Sequence, residues 1–191
     1  MKRGAETREA LLDAALAVMS ERGFHGTSVP ELAERAGTGA ASMYRHFESK
    51  EALANALYLH AKRRFAALLW DGFPKDLPVR KALREVWVRM AGIATRNTTL
   101  IVFLEMHHHA SYITPETAEA CEDLVIGPLK AIVRRGQADG VIRPGDPELL
   151  LAFLWGAFLG LFKPALDRTG HVVDEELLLR GEALAWAAVR A

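Results

Sequence analysis

A chain of 191 residues with equal numbers of acidic and basic side chains carries a formal net charge of zero. Such a chain has no general attraction for nucleic acid, so any DNA binding must come from a local basic surface of defined geometry. Its single cysteine, Cys121, excludes an internal disulfide framework, and no stretch predicts a targeting segment. We therefore expect a protein of the reducing cytoplasm.

The first predicted element is an amphipathic helix that ends at Gly23. Its apolar residues recur at helical spacing and fall on one side of the helix: Leu11, Leu12, Ala15, Leu16 and Met19. Three basic residues, Lys2, Arg3 and Arg8, lie at its start. From the pattern alone, these three form a solvated surface.

Residues 27–50 predict two short helices joined by a tight corner. Ser28 is suited to cap the first helix, and the carboxylate of Glu31 can reach back to the N–H of the capping residue. Gly37 stands where the end of a helix commonly needs a left-handed residue. Thr38 or Gly39 can then start the second helix.

The second short helix is predicted over Ala40–His46, with Met43 and Phe47 facing inward at a spacing of four residues. A helix, a short glycine turn and a second helix form the arrangement with which helix-turn-helix proteins read the major groove of DNA. An ordinary helical hairpin in an all-α protein is the alternative. The other side chains are small, or can donate hydrogen bonds to phosphates and base edges: Ala40, Ala41, Ser42, Tyr44, Arg45 and His46.

Residues from about 7 to 57 resemble the N-terminal domain of the tetracycline-repressor (TetR) family of bacterial transcriptional regulators. The resemblance is carried by Leu12, Ala15 and Phe24 and by the segments 26–29, 32–37, 42–47 and 49–53. It implies an all-α protein with a three-helix helix-turn-helix DNA-binding domain over residues 1–50. A larger helical domain for effector binding and dimerisation would follow over residues 51–191.

The resemblance also implies which residues contact DNA. Tyr44, His46 and Lys50 match backbone-phosphate contacts of the family, and Ser28 offers a backbone N–H at a helix N-terminus. At Gly39, Ala40 and Ala41, many members instead carry a polar cap and a long side chain. The expected contacts are Ser28, Thr38, Gly39, Ala40, Ser42, Tyr44, Arg45, His46 and Lys50, and resembling proteins also contact flanking phosphates with the end that holds Lys2, Arg3 and Arg8.

The remainder of the chain predicts further helices and no sheet, because no stretch shows sustained alternation of apolar and polar residues. A long helix runs from Ser49 to about Trp70 and carries a basic cluster, Lys62 to Arg64, interpreted as a solvated surface. The other helices are predicted over residues 79–96, 97–109, 114–137, 147–162 and 174–190, with Asp146 as the cap of the fourth of these, whose most apolar stretch is 149–162. Gly127-Pro128 predicts a kink or a break, and Lys163-Pro164 is expected to close the helix predicted over residues 147–162.

The last two predicted helices carry stripes of small residues flanked by large apolar ones. Core packing within one chain explains either stripe, whereas both together favour helices shared across a two-fold axis. With the resemblance, this predicts a homodimer whose two recognition helices read a palindromic operator. The expected interface residues are Leu149, Phe153, Gly156, Gly160, Leu177, Gly181, Leu184, Ala185 and Ala188. The segment 149–162 is too short to cross a bilayer, so no membrane partner is expected.

A run of histidines offers a second interpretation. Glu105 and His108 or His109 share one side of a helix at a spacing that can hold a metal. Successive residues point about 100° apart, so His107, His108 and His109 cannot all face one site. Histidines at the end of a helix are the simpler explanation, and no metal, no cofactor and no enzymatic activity are predicted.

Members of the resembled family hold a small effector between helices of the larger domain. Aromatic surface mixed with a few polar groups makes the following residues candidates, although each also fits the core: Trp87, Met90, Phe103, Met106, His107 and Tyr112. The prediction is a regulator that releases DNA when a small molecule of unidentified chemistry binds, repression being the usual behaviour that the family implies. A metal sensor or metal-dependent enzyme, and a helical interaction module without DNA binding, are the alternatives.

Overall fold

The computed structural model describes the backbone of residues 2–169 and 174–191, and the side chains of residues 7–163 and 174–191. The side chains of Lys2 and Arg3 lie outside these residues. The described ranges form helices, together with one isolated antiparallel bridge between Ile142 and Arg190, so the predicted all-α class is confirmed. The helices are α1 (Lys2–Arg22), α2 (Val29–Arg35), α3 (Ala40–His46), α4 (Lys50–Trp70), α5 (Val79–Arg96), α6 (Thr98–His107), α7 (Pro115–Ala138), α8 (Pro147–Thr169) and α9 (Glu175–Val189).

The chain divides into two compact units. The first comprises residues 1–64 and 99–121, and the second comprises residues 65–98 and 122–191. In the first unit, α1, α2 and α3 pack against one another, whereas in the second unit α9 packs against both α5 and α8. The functional boundary predicted at residue 50 is a different division and stays a prediction.

The core of the first unit follows the apolar stripe that the sequence predicts for α1. Leu11, Ala15 and Met19 are fully buried, and the inward sides of α2 and α3 add Leu32 and Met43. Burying a large apolar side chain stabilises a fold by about 1.5–3 kcal/mol, so this packing holds helices that are too short to be stable alone.

Local capping defines the ends of the short helices. Ser28 Oγ accepts a hydrogen bond from the N–H of Glu31, and Gly37 has a φ of 65° after the end of α2. The Glu31 carboxylate does not complete the expected capping box, since its Oε1 accepts a hydrogen bond from Arg22 Nη1 at 2.6 Å. Ser49 caps α4 as predicted, because its Oγ accepts the N–H of Ala52 at 3.0 Å.

Two prolines lie inside helices. α7 continues through Pro128, so the helix is not broken there. Pro128 lacks the N–H that would bond the carbonyl of Leu124, and Trp70 Nε1 donates to that carbonyl instead, at 3.1 Å. α8 likewise continues past Pro164 to Thr169, so the prediction that Lys163-Pro164 closes this helix is wrong. A proline removes one hydrogen bond from a helix without ending it when the surrounding packing is sufficient.

Gly136 occupies a crowded position in α7. A Cβ at this residue would lie 2.6 Å from Ile142 Cδ1 and 2.7 Å from Val79 Cγ1. Gly136→Ala is therefore expected to lower the free energy of unfolding by about 1–3 kcal/mol, because two side chains must move. Chemical denaturation of the purified variant measures this change.

Gly127, on the same helix, is the matched control. The atom nearest to a Cβ added at this residue would be Asp123 Oδ1 at 3.8 Å, an ordinary contact. For Gly127→Ala, the gain in helix propensity is offset by crowding against the ring of Pro128, so we expect a change within about 0.5 kcal/mol. Equal effects of the two substitutions would contradict the packing described for Gly136.

Candidate nucleic-acid interface and effector region

α3 presents one side to the core of the first unit and the other to solvent. Met43 is fully buried, while its neighbour Tyr44 exposes 55% of its surface and Arg45 is also exposed. His46 is half-buried. Because consecutive residues point about 100° apart, burying Met43 turns Tyr44 and Arg45 outward. The buried side chain of Met43 thus anchors the helix to the core, while the hydroxyl of Tyr44 and the guanidinium of Arg45 remain accessible to a partner.

Ser42 is buried, although it is one of the DNA contacts expected from the sequence. Only 6% of its surface is exposed, and its Oγ accepts a hydrogen bond from Arg45 Nη2 at 3.1 Å. Ser42 therefore orients Arg45 in this structure. At the start of the helix, Gly39 is exposed and Thr38 and Ala40 are half-buried. Because none of these residues has a long side chain, a partner can approach the backbone closely.

Two cations lie over aromatic rings beside α3. The Nζ of Lys50 is 4.4 Å from the centroid of Phe24, and the guanidinium of Arg8 is 5.2 Å from the centroid of Phe47. Ser28, the other expected contact, is exposed at the N-cap of α2. Arg8, Arg45 and Lys50 are thus three cations on or close to α3, and two of them lie over aromatic rings.

Four of the six effector candidates lie in the first unit. The rings of Phe103 and His107 are 4.3 Å apart, and His107 Nδ1 is hydrogen-bonded to the hydroxyl of Tyr112. Tyr112 also stacks on Phe24, with centroids 4.0 Å apart. Met106 differs from the other three, because half of its surface is exposed.

Burial keeps both His107 and Tyr112 uncharged at neutral pH. Burial lowers the pKa of His107, although the backbone carbonyl of Met19 acts in the opposite direction. Burial also raises the pKa of Tyr112. At neutral pH an uncharged imidazole thus meets an uncharged phenol, and the imidazole tautomer decides which of them donates the proton.

The other two effector candidates, Trp87 and Met90, are buried in the second unit. Trp87 Nε1 donates a hydrogen bond to the carbonyl of Leu178 at 2.6 Å, and its ring meets Phe158 edge-on at 5.5 Å. The indole N–H of Trp87 is therefore already hydrogen-bonded within the chain, as expected for a core residue.

The three consecutive histidines do not converge. His107 is bonded to Tyr112, whereas His108 Nδ1 lies 3.1 Å from the hydroxyl of Tyr58, and His109 is exposed. Within the described residues, no group of three or more His, Cys, Asp or Glu side chains is placed to hold a metal ion.

The predicted dimer residues fall into two groups. Leu149, Phe153 and Leu184 expose 69%, 57% and 75% of their surface. Gly156 and Gly160 are also exposed, and no atom lies within 4 Å of a Cβ added at either. Leu177 and Ala188 are half-buried.

Gly181 and Ala185 form the second group, since both are buried inside their own chain. A Cβ on Gly181 would lie 2.1 Å from Leu161 Cδ1 and 3.4 Å from Trp87 Cζ2. The small-residue stripe of α9 thus makes room for neighbours from α8 and α5 of the same protomer.

None of the helices in the described part of the chain is both long and apolar enough to span a membrane. An all-α chain whose N-terminal helices carry an exposed recognition helix defines the class of helix-turn-helix DNA-binding proteins.

The family within this class is given by sequence comparison. The profile described as "Bacterial regulatory proteins, tetR family" matches residues 11–57. The profile described as "Tetracyclin repressor-like, C-terminal domain" matches residues 58–191. The chain belongs to the TetR family of helix-turn-helix transcriptional regulators, as its residues predicted.

Individual relatives agree with this assignment. The HTH-type transcriptional regulator RutR of Escherichia coli K12 is 28% identical over 183 residues, covering 89% of this chain and 82% of RutR. The structure of a TetR family regulator from Marinobacter aquaeolei VT8 matches with a TM-score of 0.85 and 28% identity, over 99% of this chain and 98% of the other. The fold is also that of the transcriptional regulator FadR from Bacillus subtilis, determined in complex with stearoyl-CoA, with a TM-score of 0.77, 18% identity, and coverage of 94% of this chain and 97% of FadR.

Proposed function

We propose that this chain is a repressor that binds a palindromic operator as a homodimer and releases it when a small-molecule effector binds. DNA binding is assigned to residues 1–50, and effector binding and dimerisation to residues 51–191. The observation that carries the proposal is the recognition helix α3, which buries Met43 while presenting Tyr44 and Arg45 to solvent.

In this proposal, different residues contact the DNA backbone and the bases. Tyr44, His46 and Lys50 bind phosphates, with the backbone N–H at Ser28, and supply the affinity that falls with salt. Arg45 is the one long side chain of α3 that can reach a base edge. Because Gly39 and Ala40 are small, the remaining specificity comes from close approach, from thymine methyl groups and from DNA shape.

The exposed apolar surface of α8 and α9 supports the homodimer. Leu149, Phe153, Gly156 and Gly160 recur at intervals of four, three and four residues, which places them on one side of α8. Large exposed apolar side chains on a soluble chain mark interaction sites. The open space at the two glycines allows an identical helix to approach closely across a two-fold axis.

A homodimer also explains how the effector acts. Two recognition helices must be about 34–36 Å apart to read successive major grooves on one side of the DNA. An effector that binds more tightly to a state with a different spacing weakens operator binding by its differential affinity for the two states. Release of the operator is then a population shift that needs no contact between effector and DNA.

The experiment that tests this function is fluorescence anisotropy on DNA from immediately upstream of the coding region of the protein. A scrambled duplex of the same length is the control, and both are measured at two salt concentrations. We expect tight, salt-sensitive binding with a clear preference for the upstream DNA. Equal weak binding to both duplexes, followed by failure to enrich any fragment from the whole genome, would reject the proposed function.

Two substitutions separate the roles within the same assay. Lys50→Ala is expected to weaken binding to every sequence and to lower the slope of log affinity against log salt by about one unit for each phosphate that is no longer neutralised. Arg45→Ala is expected to relax the preference at one position of each half-site, a cost of about 1–3 kcal/mol against the correct base. An equal weakening on all sequences after Arg45→Ala would make this residue a backbone contact.

A further inference from the structure

A series of contacts within the first unit joins Lys50 to the segment 108–114 between α6 and α7. The Nζ of Lys50 lies 4.4 Å from the centroid of the Phe24 ring, and the ring of Tyr112 stacks on Phe24 with centroids 4.0 Å apart. Phe24 is buried at the corner between α1 and α2, whereas Lys50 is half-buried. An expected phosphate contact is therefore restrained by a ring that packing holds in place.

Asn55 on α4 bonds the backbone on both sides of residue 113. Its Nδ2 donates to the carbonyl of Tyr112 at 2.7 Å, and its Oδ1 accepts the N–H of Thr114 at 2.8 Å. The same Nδ2 donates to the carbonyl of Glu51 at 2.9 Å, so both the nitrogen and the oxygen of this amide are used. The hydroxyl of Tyr112 is bonded separately to His107. Tyr112 is thus held at its backbone and at its hydroxyl, which fixes the ring that stacks on Phe24.

An aromatic ring can restrain a lysine without neutralising it. The ammonium is attracted to the face of the ring, keeps its full charge, and can still donate hydrogen bonds to an oxygen. A carboxylate in the same place would compete with the phosphate for that charge. The side chain of a free lysine also loses rotamer freedom when it binds, and a lysine that is already ordered loses less.

We propose that Phe24 positions the ammonium of Lys50 for a DNA phosphate, and that Asn55 acts on the same cation indirectly by fixing Tyr112. The inference rests on the proposed function, since it assumes that Lys50 binds a phosphate. Neither Phe24 nor Asn55 needs to contact DNA. Each raises the affinity by ordering the lysine before the DNA arrives, which is a gain from pre-organisation.

A double-mutant cycle between Phe24 and Lys50 tests the proposal by fluorescence anisotropy. The probe is the scrambled duplex at low salt, because a phosphate contact does not depend on sequence. Phe24→Leu keeps an apolar side chain but removes the ring, so the two protomers together are expected to lose affinity about tenfold. The slope of log affinity against log salt is expected to stay at the wild-type value, since the ammonium is still present. In a chain that already carries Lys50→Ala, Phe24→Leu is expected to change the affinity by less than about twofold.

Phe65→Leu is the matched control for the loss of a buried aromatic ring. Phe65 is buried and belongs to the second unit, although it also lies on α4. Both Phe→Leu variants are expected to lose stability in urea denaturation, but Phe65→Leu is expected to keep the wild-type DNA affinity. Measurements are made at a temperature where each chain is folded.

Asn55→Ala tests the indirect part of the proposal. It is expected to lower the DNA affinity at least about twofold, because it removes the hydrogen bonds that hold the backbone of Tyr112 in each protomer. The loss should not exceed that of Phe24→Leu, since Asn55 acts on Lys50 through the Phe24 ring. Asn55 is half-buried. If Phe24→Leu does not fold, a cycle between Asn55→Ala and Lys50→Ala therefore carries the same test.

Four results would overturn the proposal or a part of it. An equal loss of affinity with and without Lys50→Ala would show that Phe24 only supports the packing of the DNA-binding helices. A rise in affinity would show that the ring holds Lys50 away from DNA. Wild-type affinity in Lys50→Ala would remove the phosphate contact itself, and wild-type affinity in Asn55→Ala would remove the indirect part.

Each of these four results leaves the proposed function standing, because they concern variants and not the wild-type chain. The preference of the wild-type chain for the upstream DNA tests that function separately. Absence of any DNA binding by the wild-type chain would reject the function and this inference with it.

Discussion

Replacing both Phe153 and Leu184 by glutamate is expected to convert the dimer to a monomer and to lower operator affinity at least about a hundredfold. A carboxylate that loses water at an apolar interface is costly, by several kcal/mol for each group. A monomer then binds one half-site without the effective concentration that a tethered second copy supplies. Sedimentation velocity measures the mass, and fluorescence anisotropy measures the affinity.

Leu68→Glu is the matched control for this double substitution. Leu68 exposes 41% of its surface, but it belongs to α4 and not to the α8 and α9 surface that carries Phe153 and Leu184. This variant is expected to keep both the dimer mass and the operator affinity. A Phe153→Glu/Leu184→Glu chain that remains a dimer would show that the two copies meet elsewhere.

Met43→Ala and Tyr44→Phe are expected to separate stability from DNA affinity at two adjacent positions of α3. Met43 is fully buried, so truncation leaves a cavity and lowers the free energy of unfolding by about 2–5 kcal/mol. Tyr44→Phe removes only a hydroxyl from a side chain that is 55% exposed, and we expect a stability change within about 0.5 kcal/mol.

At a temperature where both variants are folded, Tyr44→Phe is expected to lose more DNA affinity than Met43→Ala. Tyr44→Phe removes one phosphate contact from each protomer. A hydrogen bond to a charged group contributes about 1.5–3 kcal/mol, so the loss of two is expected to weaken operator binding about a hundredfold or more. Urea denaturation and anisotropy on the same preparations give both quantities. Wild-type affinity in Tyr44→Phe would remove its hydroxyl from the proposed contacts.

The helices of this fold were predictable because their signals are local. Ser28, Gly37 and Ser49 act within three or four residues of their own positions, and the structure contains each of these caps and turns. The start and end of α3 and α5 likewise coincide with the predicted ranges, since apolar periodicity is itself a property of consecutive residues.

The features that were not predictable depend on residues far apart in the chain. Glu31 bonds Arg22 instead of its own helix N-terminus, and the stripe at Gly181 accommodates Leu161 and Trp87 of the same protomer. For Lys62, the basic run on α4 indicates a solvated surface. The residue is instead partly buried because α4, α6 and the start of α7 meet around it, which no pattern within α4 can indicate.

The aromatic stack that joins Tyr112, Phe24 and Lys50 limits how strongly one route of regulation can act. Stacking contributes about 0.5–1.5 kcal/mol beyond burial, and an exposed cation–π contact about 0.5–1 kcal/mol. The two ring contacts of Phe24 can therefore contribute at most about 2.5 kcal/mol, or roughly seventyfold, to a change in the DNA affinity of one protomer, and the hydrogen bond between Tyr112 and His107 adds to this contribution. Because two protomers share one operator, the largest induction ratio available through this stack is the square of that factor.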